Sequence, residues 1–159
     1  MLTQSVKEML ESLVGFKKEA AEFYERASKF ENLHPIAKSA FETVAPKSRA
    51  VGEKAAALRS LPALAGAEAS KSVTIEFVLH PNRNRILPPD SELNVYVRAL
   101  EHHKRAHQFL SQFAAACGID SLKRELEALA AVELSLRNDL QHRFDEWDAN
   151  TYGTGSVTA

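Results

Sequence analysis

Apolar residues return every three or four positions along two long stretches of the chain, and one stretch between them breaks the pattern. That period predicts amphipathic helices. In the first helix Leu10, Leu13, Ala20, Tyr24 and Ala27 fall on one face, and Ser5 with Glu8 three residues later forms a capping box. A second helix opens at Pro35, whose fixed φ and missing N–H suit a first helical position. Its face is Ala37, Phe41, Val44, Val51, Ala55 and Leu58, and Pro46 inside it predicts a bend or one loosened turn.

A third helix follows Pro88-Pro89-Asp90, carries Tyr96, Ala99, Leu100, Ala106, Leu110, Phe113 and Cys117, and stops at Gly118. The fourth restarts at Asp120 or Ser121 with a heptad stripe of Leu122, Leu126, Leu129, Leu136 and Leu140, then Phe144 and Trp147. The break, about 61–90, holds Pro62, Pro81, Pro88 and Pro89, a β-prone run from Val73 to Leu79, and a small basic loop from His80 to Arg85. Two short turns and one long crossover predict an all-α four-helix bundle, two helical hairpins joined in the ferritin-like manner. Residues 1–150 form one domain on this reading, and 151–159 a flexible tail without apolar period.

Each stripe is interrupted near its middle by one polar residue: Lys17, Ser48, His103 and Glu133. A single interruption has a local explanation, a snorkelling lysine or a serine bonded to its own helix. Four at mid-helix predict a shared polar layer inside the bundle.

Here the chain resembles a known family. The segment Lys17 to Tyr24 (KKEAAEFY) is similar to the first helix of rubrerythrin-like ferritin domains, in which a metal-binding Glu precedes an aromatic by seven residues. His103 to Leu110 (HKRAHQFL) is similar to the matching third helix. The resemblance places Lys17 and His103 at carboxylate positions, and the Glu-x-x-His pairs of the second and fourth helices at Ser48 with Val51 and Glu133 with Leu136. Of these six positions only Glu133 keeps the family's residue type. The resemblance thus implies the fold and a vestigial di-metal site, and also a homodimer.

Two divalent ions need several carboxylates to bind them and balance their charge, and this layer offers one carboxylate beside an ammonium. The expectation is a Lys17–Glu133 ion pair with Ser48 and His103 taking the remaining hydrogen bonds, no metal cofactor, and a role as a structural module or as a binding module for an unidentified protein partner. The alternative is a metal-binding oxidoreductase or iron-handling protein with a remodelled site for iron, manganese or zinc. Its ligands would be His103 and His107, one turn apart, with Glu133; His102 is expected on the exposed side.

Composition narrows the classes further. The 159 residues carry 20 basic and 21 acidic side chains, a formal net charge of -1, which gives no electrostatic footprint for nucleic acid or an anionic membrane. The single cysteine, Cys117, excludes an intramolecular disulfide and the four-cysteine metal tail of full-length rubrerythrins. No apolar run approaches the ~18 residues of a membrane span, and MLTQSVKEML lacks the apolar core of a signal peptide, so a cytoplasmic location is expected. Exposed, the Val73–Leu79 run would favour pairing with a partner; folded back, it would strap its own bundle.

Overall fold

The computed structural model describes residues 5–30, 33–64, 66–70, 72–73, 75 and 91–152. Among them are four helices: α1 (Val6–Ser28), α2 (Pro35–Leu58), α3 (Ser91–Ala116) and α4 (Asp120–Tyr152), with a short 3-10 turn at Pro62–Leu64. The capping box at Ser5 forms as expected, with the Glu8 N–H donating to Ser5 Oγ at 3.1 Å and the Ser5 N–H to the Glu8 carboxylate. At Pro35 the His34 side chain caps α2 by accepting from the Ile36 N–H. Helix α2 runs unbroken through Pro46. The proline withdraws one donor, and the carbonyl it would have served belongs to Glu42 on the exposed side, where the loss costs least. Helix α3 ends before Cys117, and α4 reaches Tyr152, two residues into the expected tail.

Helix α1 packs along α2 and α3 along α4; α2 also meets α4, and α1 approaches α3 more loosely. This order leaves α1 and α4 facing each other across the bundle. The core falls into two apolar halves. One gathers Val6 to Leu13, Val51 to Leu58, Phe109 to Cys117 and Leu122 to Ala130. The other gathers Phe16 to Ala27, Ala37 to Val44, Val95 to Ala106 and Leu136 to Trp147. Helices α1 and α4 therefore run in one direction, α2 and α3 in the other. Helix α2 ends at the pole opposite to where α3 begins, so the connection has the bundle's length to cover. The 26 residues of α3 rise about 39 Å, well within reach of roughly 30 residues of extended chain.

The first part of that connection folds back on the bundle. The Val6 N–H donates to the Ala67 carbonyl at 3.1 Å and the Ser70 N–H to the Ala116 carbonyl at 2.9 Å, while Ala69 and Val73 are buried. Ile75 packs against both core halves, midway along the bundle. This is the strap alternative for Val73 and Ile75; 76–79, the basic loop 80–85 and 153–159 lie outside the described residues. At the other pole Glu92 ties three elements together, accepting from the His34 N–H at 2.7 Å and from Trp147 Nε1 at 2.6 Å.

Candidate functional site

Between the two apolar halves lie all five buried polar or charged residues described: Lys17, Ser48, His102, His103 and Glu133. The stripe interruptions therefore meet at one level. Lys17 and Glu133 come from helices on opposite corners, a span only long side chains can bridge. Gly52 on α2 makes room for the lysine, since a Cβ there would lie 2.9 Å from Lys17 Cβ.

Lys17 Nζ donates to Glu133 Oε1 at 2.5 Å, with both side chains fully buried. It also lies 2.9 Å from His102 Nε2. The second carboxylate oxygen, Oε2, is 2.6 Å from His103 Nδ1, and His103 Nε2 is 2.8 Å from the Tyr24 hydroxyl. One proton arrangement satisfies the chain. The ammonium donates to Glu133 and to the lone pair of His102 Nε2; neutral His103 donates from Nδ1 to Glu133 and accepts at Nε2 from Tyr24. In that arrangement both carboxylate oxygens accept, as an ionised Glu133 requires. The result is one cation and one anion with two neutral imidazoles.

Electrostatics agree with that assignment. Burial would raise the Glu133 carboxyl, but the Lys17 ammonium and the His103 hydrogen bond outweigh it and hold the group below its ordinary value. Burial lowers Lys17, and Glu133 offsets only part of that. The two partners pull in different senses, and the geometry at Glu133 decides for the charged pair. Burial, then the Lys17 charge and His103, keep His102 well below the ordinary imidazole range. Burial lowers His103 too, against the opposing pull of Glu133. Burial and the nearby Glu133 charge raise Tyr24, which keeps its proton to donate.

Lys17, His103 and Glu133 are thus brought together as their stripes predict. Three expectations need correction. His102 is buried, only 2 % exposed, because its ring stacks on Phe16 at 4.4 Å between centroids and its Nε2 accepts from Lys17. Ser48 is buried at this level, but its hydroxyl has no hydrogen-bond partner among the described residues. His107 is turned to α4, its Nδ1 2.9 Å from the Ala130 carbonyl, and the described trio of close potential ligands is His102, His103 and Glu133. Val51 and Leu136 are apolar core residues, one in each half. Tyr24 was legible as part of an apolar face and as the aromatic seven residues after Lys17, but not as a hydrogen-bond partner of His103.

The layer does not fit a pair of metal ions. Glu133 is the sole buried carboxylate among the described residues, and an ammonium already sits against it. No helix among the described residues is long and apolar enough to cross a membrane. Comparison with family models, curated proteins and solved structures returns no match.

Proposed function

We propose that this chain is a ferritin-like, rubrerythrin-like bundle in which an internal ion pair has replaced the di-metal layer, and that it serves as a structural or partner-binding module. The observation that carries the reading is the Lys17 ammonium, buried and 2.5 Å from Glu133 Oε1, where it supplies the positive charge a metal would otherwise bring. The single long connection and the meeting of the stripe interruptions at one level support the ferritin-like part. A divalent ion about 4 Å from that ammonium would be repelled by roughly 8 kcal/mol at an effective dielectric near 20, and even a several-fold discount removes orders of magnitude of affinity. The family resemblance adds a homodimer, the chain's own pattern a cytoplasmic location, and Val97, Val132 and Leu134, exposed on α3 and α4, offer apolar contact area to a partner.

Expression with iron, manganese and zinc, followed by dialysis and metal analysis, tests the reading. Metal well below one equivalent is expected. Stoichiometric metal that disappears in Glu133→Ala would overturn it, and a monomeric mass in sedimentation would remove the homodimer.

A further inference from the structure

His102, His103 and Glu133 each offer one ligand atom, and these three atoms lie within 4.8 Å of one another in the buried centre of the bundle. Two imidazoles and a carboxylate form a set that favours borderline first-row ions over magnesium or calcium, with room in the coordination sphere for a further ligand. We infer that these residues constitute a single-ion site for a zinc-like divalent metal, held shut by the ammonium of Lys17, and that shortening Lys17 opens it. The inference rests on the reading of Lys17 as the layer's resident cation. It differs from the vestigial family site in using His102, which stands at none of the six family positions.

The contacts of Nζ define the place. It lies 2.9 Å from His102 Nε2 and 2.5 Å from Glu133 Oε1, whereas zinc holds such atoms at about 2.0–2.2 Å, so these two ligands need to close by less than an ångström. His102 already presents an Nε2 lone pair to a cation. Its ring is fixed by stacking on Phe16. His103 Nδ1 stands against Glu133, and binding metal there moves its proton to Nε2, from which it donates to the Tyr24 oxygen. No proton need leave the imidazole; the tautomer changes, and Tyr24 becomes the orienting partner that metal-bound histidines usually have. The unpartnered hydroxyl of Ser48, one turn from the Gly52 that touches Lys17, supplies a polar atom at the same level.

The test is cobalt(II) titration of Lys17→Ala, followed by visible absorption, beside the wild type and Lys17→Ala/His102→Phe. One equivalent is expected to bind Lys17→Ala at least about 100-fold more tightly than wild type, and to be lost with His102. If Lys17→Ala is unfolded alone, zinc should restore its helical circular dichroism, and Lys17→Gln gives the same readout with a neutral polar side chain. A folded Lys17→Ala that takes up no cobalt, uptake unaffected by His102→Phe, or both Lys17 variants staying unfolded with zinc would overturn the inference. Wild-type protein that loads one equivalent through Glu133 would defeat both the metal-independent reading and the shut site, whereas failure of the Lys17 variants alone overturns the inference and leaves that reading standing.

Discussion

Separating Lys17 from Glu133 gives the most direct measure of what the layer contributes. Both side chains are fully buried and in contact, so Lys17→Met leaves a carboxylate without its countercharge, and Glu133→Gln leaves an ammonium without one. Breaking a buried pair from one side costs about 3–5 kcal/mol, a large share of the roughly 5–15 kcal/mol that holds a domain folded. In a chain of this size that corresponds to a melting temperature lowered by roughly 6–20 °C. The double variant Lys17→Met/Glu133→Gln is different. Its amide oxygen still accepts from His103 Nδ1, and methionine fills the lysine's volume. What remains is an amide N–H without a partner and the lost bond to His102, together about 1–3 kcal/mol. Urea unfolding of the four proteins should therefore give a coupling of about 3 kcal/mol or more. Additive effects within ~0.5 kcal/mol would show that the two side chains do not meet and would refute the reasoning.

Acidification should weaken the fold first through its two buried imidazoles. Both His102 and His103 are held below 6.5 by burial, so under that pH the unfolded chain takes up protons that the native layer refuses, and stability falls at up to about 2.7 kcal/mol per pH unit. Glu133, depressed by Lys17 and His103 against its burial, adds a further loss as pH drops from 4.5 through its folded value. Stability measured against pH should lose about half of the first slope in His102→Phe, and an unchanged slope would contradict the assignment. The glycines offer a steric check: Gly15→Ala meets nothing within 4 Å and should gain about 0.5–1 kcal/mol of helix preference. Gly52→Ala must displace Lys17 Cβ from 2.9 Å and should lose about 1–3 kcal/mol despite the same preference; equal behaviour in urea would mean that α1 and α2 do not touch there.

The helices could be read from the chain because their signals are local. Ser5 with Glu8, Pro35 and the leucine stripe of α4 each act within a few residues of themselves. The pairing of Lys17 with Glu133 was also legible, since a charge in the middle of an apolar stripe has to be met by an opposite one. His102 was not, for it neighbours His103 and points about 100° away from it around the helix. A signal existed in the parallel dipeptides: Phe16 precedes Lys17 as His102 precedes His103, and the preceding residues stack on each other as the following ones share Glu133. His107 misled because one-turn spacing fixes a direction along α3 and says nothing of which acceptor stands opposite; the Ala130 carbonyl is invisible in a pattern of side chains. Ser48 was placed correctly in depth, but a short hydroxyl does not reach the groups that the longer side chains join.

Apolar seams have little preference between neighbouring alignments, because a stripe of leucine and alanine displaced by one turn still meets leucine and alanine. The layer removes that indifference. A slide of α1 against α4 by one turn, about 5.4 Å, would carry Lys17 out of reach of both Glu133 and His102 and place an apolar side chain against an ionised carboxylate. Each stranded charge costs several kcal/mol, more than a displaced methyl group can return. The five-residue chain from Tyr24 to His102 thus works as a vernier, setting the axial position of helices that the hydrophobic effect alone would only hold together.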